Sequence, residues 1–195
     1  MDEQNILELL KASGDETLSQ TVLSGINDGK MPMSSMTRLV LQYESLSTEF
    51  PKLLCLYGAR LSTDASRYGI IANLWDEHGG LSPDRSHRKM LSAFLKSFCP
   101  DRGGVPAPQS WQTSLFINGF SGIMTNGSLS EGLGALLFCE SITPAEYTRV
   151  VRWMRQNTNF TDEKLEFWIN HIDHDGDHTH FSPKLRVAKI LIFVL

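Results

Sequence analysis

Residues 35–61 read SMTRLVLQYESLSTEFPKLLCLYGARL. Leu39, Tyr43, Leu46, Phe50, Leu53, Leu54 and Tyr57 recur in this stretch mostly at steps of three and four, which lines one face of an α-helix with apolar side chains. The stretch is expected to be one long helix, with Pro51 the place for a kink. Working outward, shorter helices are expected over 5–11 and 16–26 before it and over 65–78 after it. The last of these is capped within Ser62-Thr63-Asp64 and stopped at Gly79-Gly80. Ser82-Pro83-Asp84 opens another helix that runs to 98. Prolines and glycines then make 100–108 a loop. Helices are expected again over 109–124, 130–139, 144–156 and 161–179, and Ser182-Pro183 precedes a final apolar stretch. Strand-like alternation is scarce, so the fold class is all-α, in one domain over 1–195.

The chain has 195 residues, 41% hydrophobic and 21% charged, the profile of an ordinary globular protein rather than a disordered one. Net charge is -4 and no Lys/Arg-rich block appears, which argues against a nucleic-acid partner. The start, MDEQNILELLKAS, lacks the basic-then-apolar order of a signal peptide. The longest strongly apolar run, Ile190 to Leu195, is too short to span a membrane and reads as a buried terminal helix or a homodimer contact. Cys55, Cys99 and Cys139 form an odd set without a CxxC pair, as expected in a reducing, cytoplasmic setting. Each has apolar neighbours and reads as a small buried hydrophobe.

The segment LEFWINHIDHDGDHTH, 165–180, carries the densest chemistry. On a helical projection Leu165, Trp168, Ile169 and Ile172 form the apolar face. His171, Asp175 and His178 then fall within roughly 60° of one another on adjoining turns. Two imidazoles and a carboxylate so placed suit iron, zinc or manganese. A solvated polar helix end is the plain competing reading. A calcium loop starting at Asp173 fails, because its sixth and twelfth positions hold His178 and Lys184 instead of glycine and glutamate.

A metal site inside a helical bundle also needs ligands from other helices. Glu77 closes the largely apolar NLWDE, and His87 lies in the first turn of the next helix. Glu140 ends an uncharged run in GALLFCES. Each alone reads as a surface residue. The segments FPKLLCLYGAR (50–60), NLWDEHGGLSPDRSH (73–87), GALLFCES (134–141) and HIDHDGDH (171–178) resemble the haem-oxygenase-like diiron oxidases and oxygenases. These are relatives of the thiaminase-II and PQQ-synthesis folds, and the resemblance runs from about 16 to 180.

That resemblance implies a compact haem-oxygenase-like bundle of about seven helices. It also implies two Fe(II) ions held by Glu77, His87, Glu140, His171, Asp175 and His178, with dioxygen as cosubstrate. Three imidazoles and three carboxylates balance most of the charge of two ferrous ions and leave positions open. Trp168, Leu136, Leu137 and Phe138 are expected to limit water there, and Asn73, one turn before Glu77, to orient it. Glu44 or Glu49 is placed where some N-oxygenating members carry an additional carboxylate. The implied reaction is oxidation of a small carboxylate-bearing metabolite, amino-acid-like or a fatty acid. N-oxygenation, C–C cleavage and oxidative decarboxylation stay open, with Arg60, Arg67, Arg149 and Arg152 the candidate carboxylate clamps. A biosynthetic enzyme is the leading reading, and a helical interaction module with a structural or absent metal the alternative.

Overall fold

The computed structural model describes residues 24–173 and, before them, positions 5, 8–10, 12–14 and 16. Seven helices and no strand occur among the described residues. They are α1 (Ser24–Asn27), α2 (Met33–Arg60), α3 (Asp64–Glu77), α4 (His87–Phe98), α5 (Trp111–Asn126), α6 (Leu129–Asn157) and α7 (Glu166–Asp173). Helix α2 is the central rod, packed against α3, α4, α5 and α6. Its buried stripe of Met36, Val40, Tyr43, Leu53, Leu54 and Tyr57 follows the helical period seen in the sequence. Helix α7 packs on α6 and α4. No helix among the described residues is long and apolar enough to cross a membrane.

Local chemistry sets the helix ends. Thr63 and Ser66 form a reciprocal capping box at the start of α3, and Ser128 and Glu131 another at the start of α6. Gly79 (φ 85) and Gly80 (φ 61) stop α3 in the left-handed region. A Cβ on Gly79 would come within 2.4 Å of the Ser82 carbonyl oxygen, so only glycine fits this tight return into α4.

Several boundaries differ from the sequence reading: α4 opens at His87 after a short 3-10 turn over Pro83–Arg85, and α7 at Glu166 instead of 161. The expected helices over 130–139 and 144–156 are a single 29-residue helix that carries Pro144 inside it. Proline removes one intrahelical hydrogen bond and crowds the preceding turn. The carbonyl that Pro144 leaves without its helical donor is that of Glu140, while the Ser141 and Thr143 hydroxyls donate to the carbonyls of Phe138 and Cys139 at 2.8 Å each. Packing on both sides then holds the helix together. The cysteines also differ from expectation: Cys55 is exposed, and Cys99 and Cys139 are half-buried.

The core has two apolar clusters. One gathers Trp153, Trp168, Tyr43, Tyr147 and Phe94 between α2, α4, α6 and α7. The other gathers Leu54, Tyr57, Phe120 and Leu136 between α2, α5 and α6. Gly132 lets α6 approach α2 closely, since a Cβ there would lie 2.5 Å from the Tyr57 ring. The far half of the 161–179 segment and the apolar 190–195 run lie outside the described residues.

Candidate metal centre

Four of the six sequence-derived ligand positions fall in the described region, and all four line one cavity between the two core clusters. Glu77 is the last residue of α3 and His87 the first of α4, so the glycine turn folds one onto the other. His87 Nδ1 lies 3.0 Å from Glu77 Oε1, with both side chains about nine-tenths buried. Nδ1 is buried and makes no well-aligned hydrogen bond, so Glu77 acts on it chiefly as a close negative charge. A buried imidazole nitrogen without a partner is costly, and a cation between it and the carboxylate would satisfy both. Burial pushes the His87 imidazole down in pKa, but the Glu77 carboxylate, with Asp76 and Glu140, more than offsets it, so the net shift is upward.

His171 on α7 reaches the same spot, its ring centroid 4.4 Å from that of His87. Its Nδ1 lies 2.6 Å from the Phe167 carbonyl oxygen. A carbonyl only accepts, so Nδ1 carries the hydrogen and Nε2 keeps its lone pair, the tautomer that a metal needs. Ligand atoms of Glu77, His87 and His171 lie within 4.8 Å of one another. Glu140, from the middle of α6, lines the same cavity. Asn73 Nδ2 donates to Glu140 Oε1 at 2.9 Å. Asn73 therefore orients Glu140 rather than Glu77 as expected, because its amide faces across to α6 instead of along its own helix. Asp175 and His178 lie outside the described residues.

The cavity has a volume of about 170 Å³. Phe50, Leu53, Phe116, Ile117, Phe120 and Ile142 form most of its apolar wall. This corrects the wall expected from the sequence: Leu136 and Leu137 are buried in the α2–α5–α6 cluster, Trp168 in the other, and Phe138 does not line the cavity. The four arginines are placed elsewhere. Arg60 donates to the Met124 carbonyl at the end of α5, and Arg67 to the Leu61 carbonyl and Asp64. Neither these nor Arg149 and Arg152 are among the described lining residues. Glu44 is held by Arg102 and the Ala107 amide and pins the 100–108 loop, while Glu49 lines the cavity and pairs with Lys52 at 2.7 Å.

Three lining residues were not singled out from the sequence as site residues: Tyr43, Glu146 and Tyr147. Tyr43 donates a hydrogen bond to Glu146. Burial pushes the Glu146 carboxyl up, although the Tyr43 hydroxyl and Arg149 pull it back. Both phenols stand well above the usual range, first through burial and then through neighbouring carboxylates. Tyr147 was legible, being seven residues after Glu140 and hence on its helical face. Glu146, six residues after Glu140, projects about 120° away from it on the helix and so was not legible in this way.

The family model described as iron-containing redox enzyme matches residues 37–184. The chain belongs to that family. No curated protein matches it. The matched span of this iron-containing redox enzyme family takes in Glu77, His87, Glu140, His171, Asp175 and His178. The all-helical architecture is that of a haem-oxygenase-like bundle. Membership makes the protein an oxidoreductase of an iron-containing class.

Proposed function

We propose that this protein is a non-haem diiron oxidase or oxygenase that uses dioxygen to oxidise a small molecule in the apolar cavity. The ligands are Glu77, His87, Glu140 and His171 from the bundle core, with Asp175 and His178, four and seven residues after His171 in the sequence. The observation that carries this reading is the buried convergence of Glu77, His87 and His171, whose ligand atoms lie within 4.8 Å of one another, with His87 Nδ1 lacking a well-aligned hydrogen bond. That donor set is mixed imidazole and carboxylate, which suits ferrous iron.

When bound, the iron pair supplies electrons to dioxygen and sets an oxidising centre against the cavity. The chain's own residues do the rest. Phe167 O fixes the His171 tautomer, and the Asn73 amide orients the Glu140 carboxylate. Phe50, Phe116, Ile117 and Phe120 keep water from the reacting region. A cavity of this size matches one ring or a short alkyl group, by comparison with the ~150 Å³ cavity that takes benzene. No arginine or lysine is among its described lining residues, so the carboxylate of an amino-acid-like or fatty-acid substrate would find its cation in the metal pair itself. The thiols of Cys55, Cys99 and Cys139 are unpaired, in keeping with the cytoplasmic location proposed for this activity.

The test is anaerobic Fe(II) titration with iron quantification, followed by stopped-flow absorbance on mixing with oxygenated buffer. Two irons per chain and oxygen uptake that depends on them are expected. His171→Ala and Glu140→Ala should lose iron without losing the fold. A protein that binds no iron, or whose iron neither substitution disturbs, would be a helical binding module instead.

A further inference from the structure

The cavity wall holds a group of residues that metal binding leaves unexplained. Tyr43 on α2 and Tyr147 on α6 meet edge to face, with ring centroids 5.5 Å apart. Tyr147 in turn lies 5.0 Å from the His171 ring. Trp168 closes the group, 5.1 Å from Tyr43 and 4.9 Å from Tyr147. All three aromatic rings are buried. They form an unbroken path of easily oxidised side chains from a metal-facing imidazole to the Tyr43 phenol.

Apolar packing alone would be served better by phenylalanine at these positions. Two features cost stability without improving the packing. Tyr43 donates its hydroxyl hydrogen to the half-buried Glu146 carboxyl, and the indole N–H of Trp168 is buried with no hydrogen-bond partner. A phenol paired with a carboxylate has a place to put its proton as it loses an electron. The Trp168 N–H has none, so that ring can pass an electron but cannot hold a neutral radical.

We propose that Tyr43 is an internal one-electron donor to the iron centre, reached through Tyr147, with Glu146 as the acceptor of its proton. The inference rests on the diiron reading. In the step, the Tyr43 O–H bond breaks. Its electron passes by way of Tyr147 to the iron centre that dioxygen has oxidised, lowering one iron by one unit of charge. The proton moves along the existing hydrogen bond to a Glu146 oxygen. Phenol and carboxylate become neutral phenoxyl and neutral carboxylic acid, so the negative charge on Glu146 disappears inside the apolar wall, the direction that burial favours. The outcome is a one-electron reduction of the oxidised centre when the cavity holds no substrate, with the radical kept away from solvent.

The experiment loads the full chain with Fe(II) under argon, mixes it with oxygenated buffer in the absence of substrate, freezes it, and records electron paramagnetic resonance and Mössbauer spectra together. A radical with phenoxyl hyperfine structure is expected, altered when the protein is grown on β-deuterated tyrosine. It should be lost in Tyr43→Phe and strongly diminished in Glu146→Gln, which keeps the shape of the acceptor but cannot take the proton. Iron that is oxidised without any radical overturns the assignment and leaves the diiron reading standing. So does a radical that deuteration leaves unchanged, or one that both Glu146→Gln and Tyr43→Phe leave in place. The isotope experiment and Glu146→Gln still decide the matter if Tyr43→Phe does not fold. Failure to bind iron, or bound iron that dioxygen does not oxidise, overturns both.

Discussion

Replacing Asn73 by leucine isolates one hydrogen bond behind the metal centre. Asn73 is 8% exposed, and its Nδ2 donates to Glu140 Oε1 at 2.9 Å. Leucine fills similar space and has no donor. A hydrogen bond to a charged group contributes about 1.5–3 kcal/mol. At ~1.4 kcal/mol per factor of ten, that is roughly a ten- to hundredfold loss in the affinity of any metal held through Glu140. The loss expected on removing a hydrogen-bond partner that orients a ligand falls in the same range, about 10–100-fold. The assay is anaerobic Fe(II) titration in competition with a chromophoric chelator, run beside thermal melts of the metal-free protein so that damage to the fold is read separately. Asn73→Asp adds a control, since a second carboxylate facing Glu140 should repel it and lower affinity at least as far. An Asn73→Leu protein that melts like wild type and binds iron with unchanged affinity would refute the assignment of Glu140 as a ligand held by Asn73.

Three further outcomes are expected. The His87 pKa is raised because neighbouring carboxylates, Glu77 foremost, outweigh burial. The stability it contributes to the metal-free protein is therefore full below its unfolded value of about 6.5 and lost as pH rises through the folded value, so denaturant melts against pH should show that slope and Glu77→Gln should abolish it. Iron binding should follow the opposite trend, strengthening over the same interval because the metal displaces the proton. Arg60→Ala leaves the Met124 carbonyl at the end of α5 without its 2.8 Å donor, and should destabilise the fold by about 1–3 kcal/mol in denaturant melts while iron stoichiometry stays unchanged. Gly132→Ala places a Cβ 2.5 Å from the Tyr57 ring, so α6 and α2 must part or the ring must turn, at a cost of about 1–3 kcal/mol read in the same way.

Helical periodicity and caps are local properties, and local properties are what one chain read in order can report. The stripe of Leu39, Tyr43, Leu53 and Tyr57, the Thr63 and Ser128 caps and the Gly79-Gly80 stop were therefore legible, and with them the all-helical class. The ligand candidates Glu77, His87, Glu140 and His171 were legible as residue types at telling spacings, and all four line one cavity. Their second partners were not, because a side chain's neighbour across a helix interface depends on rotation and approach that no spacing encodes. Asn73 turned to Glu140 and not to Glu77, Arg60 went to the end of α5, and the apolar wall came from α2, α5 and Ile142 rather than from Leu136 to Phe138. Pro144 misled for the same reason: by itself it breaks a helix, and packing on both flanks keeps α6 whole. The sequence by itself determined the all-helical class, the family and the candidate ligand residues. Tertiary structure alone decided which side chains meet in the interior, including the pairing of Tyr43 with Glu146 across 103 residues of chain, since burial and contact are properties of the packed molecule.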